Sequence, residues 1–299
     1  MSEPEVSRDG TAFPLGVRYM LASAFFFSVM SLMVKAAGRS LPSQEIVLAR
    51  GVVTLVLSWW MVRAAGVYLW GERRWILLLR GALGFGALSC FYFALTRLPI
   101  AEATVLHYTN PLWTALLAAV LLRESLSAWV LGPILVSFAG VVLVARPEFL
   151  FGGAAAQIDP LGVVVVLIGA ILSAGAYVAV REASKTEHHL VIVFYFPLVT
   201  VPATLPFAGG FRWPSGWEWA LLLGVGVSTQ IAQIFLTRGL TLEPAGRAMA
   251  VGYSQIVFVT LWGMLFFDEF LGPWGLVGSF LVIAGTLAVG LRRPVIGNR

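Results

Sequence analysis

Ten long apolar stretches follow one another along this chain, with only short polar connections between them. Hydrophobic residues make up 59% of the sequence and charged residues only 12%, about half the share that is typical of soluble domains. A helix needs roughly 20 mostly apolar residues to cross the hydrocarbon core of a bilayer. Only helices and closed barrels satisfy their backbone in lipid, and the short alternating segments of a barrel are absent here. The sequence therefore predicts membrane-spanning helices.

We predict an all-α integral membrane protein with ten transmembrane helices. The connections carry turn residues, and the longest, around residues 149–159, is rich in glycine and alanine and divides the chain into two halves. The ten spans and their short loops use nearly all of the 299 residues, which leaves no room for a soluble catalytic domain. The predicted spans are residues 17–36, 43–64, 75–96, 99–121, 126–145, 160–181, 189–208, 217–240, 246–267 and 271–291.

Lysine and arginine residues are distributed unevenly between the two sides of the predicted bundle. With ten spans both termini lie on one side, and that side receives thirteen basic residues against five on the other. The positive-inside rule then predicts a multi-pass inner-membrane protein with both termini in the cytoplasm. No basic cluster is longer than two residues, so the net charge of +5 indicates membrane topology rather than binding to nucleic acid.

The two halves of the chain align when one is shifted by 145 residues. The aligned pairs include Tyr108 with Tyr253, Asn110 with Gln255, and Glu124 with Glu269. Each half holds an odd number of spans, five, so the second copy must enter the membrane in the opposite sense. Inverted repeats are a transporter architecture with a substrate site near the midplane. We divide the chain into a cytoplasmic tail (1–16), a first repeat (17–146), a periplasmic linker (147–159), a second repeat (160–291) and a cytoplasmic tail (292–299).

Short motifs recur in order along both halves. The first half contains Ala101-Glu102-Ala103, Leu122-Arg123-Glu124-Ser125-Leu126 and Gly140-Val141-Val142-Leu143-Val144, and the second contains Pro244-Ala245-Gly246-Arg247-Ala248, Phe267-Asp268-Glu269 and Gly285-Thr286-Leu287. Together they resemble the EamA-type repeat of the drug/metabolite transporter superfamily over about residues 17–291. The resemblance implies a ten-helix transporter, with both termini inside, for amino acids, other metabolites, nucleotide sugars or drugs. Within the superfamily the chain looks most similar to bacterial exporters of aromatic amino acids.

Polar residues near the middle of the fourth and ninth spans form the best candidate for a substrate site. They are His107, Tyr108 and Asn110 in the first half and Tyr253 and Gln255 in the second. Asn110 lies about 11 residues into its span, or about 16 Å, which is close to mid-bilayer. The inverted copy reaches the same depth from the other face. The alternative is that these side chains bond to one another and hold the bundle together. Pro111 lacks a backbone donor and marks one possible helix break.

Five further residues are candidates for the same cavity. Gln230 and Gln233 are three residues apart in the eighth span and share one face, where they could contact either substrate or another helix. Ser173 and Tyr177 lie deep in the sixth span. Arg50 lies about seven residues into the second span, where it either extends its charge to the interface or faces an aqueous vestibule and meets a carboxylate.

Three other charged residues are interpreted as structural. Arg80 lies near the inner end of the third span, and we interpret it as an interfacial anchor. Glu124 and Glu269 come just before predicted helices, where a carboxylate complements the positive end of the helix dipole. None of the three is assigned to the substrate.

A site of amides, hydroxyls and aromatic rings without a deep carboxylate favours a small neutral or zwitterionic substrate. We expect an exporter of such metabolites, most simply amino acids including aromatic ones, that works by alternating access and facilitated diffusion. A proton-coupled drug or metabolite efflux pump is the alternative, with His107 as the one titratable candidate near neutral pH. An intramembrane enzyme is the weakest alternative, since no nucleophile–base pair or metal cluster is recognisable. The expected partners are the small-molecule substrate and the lipid bilayer, with no cofactor, metal or catalytic residue.

Overall fold

The structure is a computed structural model that describes residues 13–95, 97–98, 100–151, 159–207, 211–268 and 272–291. Within these ranges every regular element is a helix. The α-helices are α1 (Leu15–Ala37), α2 (Ser43–Ala64), α3 (Arg74–Leu95), α4 (Ile100–His107), α5 (Asn110–Leu121), α6 (Ala128–Ala145), α7 (Glu148–Phe151), α8 (Pro160–Ala183), α9 (His189–Thr204), α10 (Gly216–Leu242), α11 (Ala245–Gly252), α12 (Ser254–Phe266) and α13 (Pro273–Gly290). Glu269, most of the predicted linker, most of the predicted N-terminal tail and all of the predicted C-terminal tail lie outside the described residues.

Ten membrane crossings account for these helices. In the described part of the chain, eight helical segments are long and apolar enough to cross a bilayer, and one of them comprises α11 and α12 together. The short helix α9 has 16 residues and is extended by a 3₁₀ turn over Leu205–Phe207. The pair α4 and α5 forms the tenth crossing. Large apolar side chains such as Val120, Leu265 and Phe280 are exposed on the outside of the bundle, as lipid contact requires.

Two of the predicted spans are not continuous helices. The span predicted at 99–121 is broken after His107, and the span predicted at 246–267 is broken at Tyr253. In the first repeat Pro111 explains the break, because its ring lacks a backbone donor and collides with the preceding helical turn. In the second repeat α11 ends at Gly252, a residue type with weak helix propensity. The two breaks are equivalent under the 145-residue shift.

The two halves pack in an inverted, reciprocal arrangement. Helix α1 runs antiparallel to α10, where the Ser23 hydroxyl donates a hydrogen bond of 2.9 Å to the Ala232 carbonyl. Helix α8 runs antiparallel to α3 in the equivalent way, and Gly169 lets the two backbones approach at Cys90. Helices α6 and α13, which are also equivalent, cross each other at Gly140 and Gly278. The fold is therefore the predicted pair of inverted five-helix repeats.

Both ends of the described chain lie at one face of the bundle, because Phe13 packs against Gly290. We call this the terminus face and the opposite one, where α1 ends at Ala37, the loop face. The placement of the terminus face in the cytoplasm stays a prediction from the distribution of basic residues.

Candidate substrate cavity

The two broken helices meet at their breaks. The Tyr253 hydroxyl donates a hydrogen bond of 2.8 Å to the Tyr108 carbonyl, and the two rings stack with 6.2 Å between their centroids. The break leaves this carbonyl without a regular helical donor, since the amides of Leu112 and Trp113 donate to the Thr109 carbonyl instead. Tyr253 is fully buried. Residues that the 145-residue shift aligns in the sequence thus touch at the centre of the bundle.

A cavity of about 400 Å³ lies beside this tyrosine pair. It extends toward the loop face between α1, α4 and α12, and α8 and α11 also border it. Six of the ten residues singled out from the sequence line it, namely His107, Tyr108, Asn110, Tyr177, Tyr253 and Gln255. None of the described residues that line the cavity is acidic or basic apart from His107. The remaining lining is mostly methionine, phenylalanine and small aliphatic side chains.

The imidazole of His107 is the most distinctive polar group of the cavity. Its ring packs against Phe91 at 4.7 Å between centroids. Its Nδ1 is buried and has no hydrogen-bond partner among the described residues. Asn110 begins α5 just after the break and is also buried, with 7% of its surface exposed. Both side chains can therefore offer hydrogen bonds to a small molecule in the cavity.

The contribution of α1 to the cavity was not predicted from the sequence. Ser23, Phe27, Met30 and Ser31 line the cavity from one face of this helix. Their spacing of four, three and one residues is the helical pattern that could have indicated a shared face. The two hydroxyls donate to backbone carbonyls, Ser23 to Ala232 and Ser31 to Phe27, so they present acceptor lone pairs to the cavity.

Three of the predicted residues line a second, smaller cavity and not the central one. Arg50, Gln230 and Gln233 border a cavity of about 10 Å³ between α2, α9 and α10. The Gln230 side-chain oxygen accepts a hydrogen bond of 3.0 Å from Ser58, which ties α10 to α2. Ser173 is buried in α8 but lines neither cavity. The residues predicted as one site are therefore divided between two places.

The interpretation of Arg80 as an interfacial anchor is wrong. Arg80 is only 4% exposed, and its guanidinium donates a hydrogen bond of 3.0 Å to the Gln233 side chain. The same guanidinium lies over the Phe196 ring at 4.3 Å. The residue points into the bundle because an amide and an aromatic face are available there, and both stabilise a guanidinium.

Glu124 complements a helix N-terminus, but in the other repeat. One carboxylate oxygen accepts a hydrogen bond of 2.8 Å from the Ala245 amide, at the start of α11. The other accepts a hydrogen bond of 2.9 Å from Arg181, which also donates to the carbonyls of Leu240 and Thr241 at the end of α10. Glu124 therefore joins the two repeats at the terminus face.

A buried ion pair lies next to this contact. Glu243 and Arg247 are 3.1 Å apart, and their side chains are 3% and 7% exposed. Arg247 also donates to the Val289 carbonyl at the end of α13. Burial raises the pKa of the Glu243 carboxyl above its ordinary range, although Arg247 and Arg181 oppose this shift. Together with tight packing of Gly246 against Ala115, these contacts close the terminus-face side of the central cavity.

Two inverted five-helix repeats around a central cavity define a membrane transporter of the inverted-repeat class. A model described as the EamA-like transporter family matches residues 14–146 and again residues 160–291. The chain therefore belongs to the EamA-like transporter family.

Curated relatives cover nearly the whole chain. The chain is 33% identical over 276 residues to the pseudopaline exporter of Pseudomonas aeruginosa, covering 92% of this chain and 95% of that one. It is 27% identical over 279 residues to the S-adenosylmethionine uptake transporter of Rickettsia prowazekii, covering 92% of each. It is 28% identical over 304 residues to human solute carrier family 35 member G1, covering 98% of this chain and 83% of that one.

A solved structure supports the fold. It is titled only as the crystal structure of a protein, and it superposes with a TM-score of 0.76 at 19% identity, covering 89% of this chain and 95% of that one. At this identity the likeness concerns the fold alone.

Proposed function

We propose that this protein is an inner-membrane exporter of small neutral or zwitterionic metabolites, with amino acids, including aromatic ones, as the leading substrate class. The observation that carries the proposal is the lining of the central cavity. Asn110, Gln255 and His107 offer hydrogen bonds, and rings and methionine side chains cover the rest. A volume of about 400 Å³ falls in the range of small-molecule sites, roughly 300–1,000 Å³. The described residues of the lining include no carboxylate, lysine or arginine, which suits a molecule with no net charge.

The names of the relatives support small-molecule transport but do not indicate the direction of transport. One is named for export of pseudopaline and another for uptake of S-adenosylmethionine. The outward direction therefore rests on the resemblance to amino-acid exporters, and the choice of amino acids rests on the chemistry of the cavity.

Alternating access is supported by the two helix breaks. The cavity extends toward the loop face, while the contacts of Glu124, Arg181, Glu243 and Arg247 close the terminus face. Movement of α11 relative to α12, and of α4 relative to α5, would open one side as the other closes. Such broken helices at the midplane are the elements that reorient in inverted-repeat transporters.

Facilitated diffusion is the proposed mode, because no described residue lining the cavity is a carboxylate that could carry a proton. One observation favours the proton-coupled alternative. Glu243 is a buried carboxyl in the terminus-face closure, and it could gain or lose a proton when that closure opens.

The substrate proposal is tested by counterflow of labelled amino acids in proteoliposomes. Asn110→Ala and Gln255→Ala should each lower uptake about tenfold, since loss of one hydrogen bond of about 1.4 kcal/mol corresponds to that factor. Gln44→Ala, in the first turn of α2 and away from the cavity, is the matched control and should transport normally. Normal uptake by both cavity variants would show that these side chains are only packing contacts.

The transport mode is tested by imposing a pH gradient on proteoliposomes with equal substrate on both sides. Facilitated diffusion predicts no net accumulation. If substrate accumulated and a protonophore abolished that accumulation, proton coupling would replace facilitated diffusion as the proposed mode. If this accumulation were lost in Glu243→Gln but kept in His107→Gln, Glu243 in the terminus-face closure would be the residue that carries the proton.

A further inference from the structure

Two methionine side chains meet at a glycine at one end of the central cavity. Met20 of α1 and Met249 of α11 are buried, with 1% and 6% of their surfaces exposed, and both line the cavity. A Cβ atom added to Gly252 would lie 3.9 Å from the methyl group of Met249 and 4.0 Å from that of Met20. We call these three residues the methionine end. The Met20 sulfur also packs against Gly239 of α10, so three helices converge here.

The methionine end lies on the terminus-face side of the helix breaks. Helix α11 begins at the terminus face and ends at Gly252, just before its break. Met20 lies in the second turn of α1, which begins at the same face, and Ser31 lies about three turns or about 16 Å further along that helix. His107 precedes one break and Gln255 follows the other, so both are displaced toward the loop face. The cavity is therefore elongated, with these two polar side chains away from the methionine end.

Gly252 leaves open space where the packing would accept a side chain. Its φ is not in the left-handed region, since the positive-φ glycines among the described residues are Gly66 and Gly71. Contacts of 3.9 and 4.0 Å are ordinary van der Waals distances, so a methyl group fits here without moving its neighbours. By contrast, a Cβ atom added to Gly239 or Gly246 would collide with a neighbour at 2.5 or 2.9 Å. Besides its weak helix propensity, what Gly252 provides is therefore room inside the cavity.

We propose that the methionine end is the subsite for the side chain of the transported molecule, and that Gly252 sets the size of the side chain that it accepts. This inference rests on the substrate class proposed above and narrows it. Methionine is flexible and polarisable, so it adapts to differently shaped groups and makes favourable contacts with aromatic rings. The subsite therefore takes a large apolar side chain, above all an aromatic one, while His107 and Gln255 bind the polar end of the molecule.

The proposal is tested by the selectivity of transport, measured as uptake of labelled tryptophan and of labelled alanine into the same proteoliposomes. In Gly252→Ala the added methyl group takes space that the indole ring needs. The ratio of tryptophan to alanine uptake should therefore fall about tenfold, as one extra methylene in an apolar pocket can cause. Combining Gly252→Ala with Met249→Ala removes the side chain next to the added methyl group and should restore most of the ratio.

Gly132→Ala is the matched control, because it makes the same change outside the cavity, at a position where an added Cβ meets no atom within 4 Å. It should leave the ratio unchanged. If Gly252→Ala slowed uptake of both amino acids equally, the glycine would serve the helix break and not a subsite, and the proposal would be overturned.

A competition assay on the wild type decides the matter if Gly252→Ala does not yield folded protein. Unlabelled tryptophan should inhibit uptake of labelled alanine at about a tenfold lower concentration than unlabelled alanine does, because it also fills the subsite. Equal inhibition by the two amino acids would contradict the proposal. A wild type that transports neither amino acid would instead refute the substrate class, and the subsite with it, so the two failures are distinguishable.

Discussion

The crossing of α6 and α13 makes a strong prediction about how the two repeats pack. A Cβ atom added to Gly140 would lie 2.5 Å from the Gly278 carbonyl oxygen and 2.9 Å from the Val282 side chain. A backbone oxygen cannot rotate away as a flexible side chain can. To restore an ordinary contact of 3.4 Å, the two helices must separate by about 0.9 Å at this point. The substitution Gly140→Ala therefore forces open the contact between equivalent helices of the two repeats.

The expected cost follows from two opposing terms. Overpacking of a tight contact costs about 1–3 kcal/mol. Alanine in place of glycine regains up to about 1 kcal/mol through its higher helix propensity. The net destabilisation is then about 1–2 kcal/mol, which corresponds to a fall in Tm of roughly 2–3 °C for a chain of this size.

Gly132→Ala is the matched control, because it makes the same chemical change in the same helix. No atom lies within 4 Å of a Cβ added at Gly132. Only the helix-propensity term applies there, so this variant should be more stable than the wild type by up to about 1 kcal/mol. The measurement is Tm of the detergent-purified proteins, followed by tryptophan fluorescence. If both variants shifted Tm in the same direction, or if Gly140→Ala were as stable as the wild type, the close approach of α6 and α13 would be refuted.

Two further predictions concern the helix breaks and the terminus-face closure. Tyr253→Phe keeps the stacked ring but removes the donor to the Tyr108 carbonyl, so stability should fall by about 1 kcal/mol; an unchanged Tm would show that the carbonyl is satisfied elsewhere. The pKa of Glu243 is raised in the folded protein, so its contribution to stability is fully present below the unfolded pKa and is lost as pH rises through the folded one. Glu243→Gln should therefore flatten the profile of Tm against pH just above the ordinary carboxyl range, and a profile parallel to the wild type would contradict this.

The sequence predicted the features that depend on length, polarity and repetition. Ten apolar stretches of sufficient length required ten crossings. The alignment of Tyr108 with Tyr253 also predicted that the two residues would lie close together, because residues that align across an inverted repeat lie near its axis at mid-depth. Pro111 signalled one helix break, whereas the break at Tyr253 carried no signal as strong.

The sequence could not indicate which neighbour each polar side chain faces. In a membrane protein both the lipid-facing surface and the interior are apolar, so hydrophobic periodicity does not mark the buried face of a helix. Arg50 and Arg80 lie at similar depths from opposite faces of the bundle, each near the N-terminal end of its helix, and depth alone allowed either to extend toward the interface. Gln230 and Gln233 were correctly placed on one face, but that face borders Arg50 and α9 rather than the tyrosine pair. Only the packing of helices distant in sequence decides between these neighbours.

The central cavity is asymmetric although the repeats that form it are equivalent. Helix α1 lines the cavity from Met20 to Ser31, whereas its counterpart α8 contributes Tyr177 alone. In the alternating-access mechanism proposed above, the repeats exchange these roles, so α8 would line the cavity when it opens to the terminus face. Equivalent helices make similar contacts in either arrangement, so the two states should differ by only a few kcal/mol, as interconversion without an energy source requires. The contacts of Arg181 with Glu124 and of Glu243 with Arg247 lie on the side that must open, and their strength therefore sets the population of the second state.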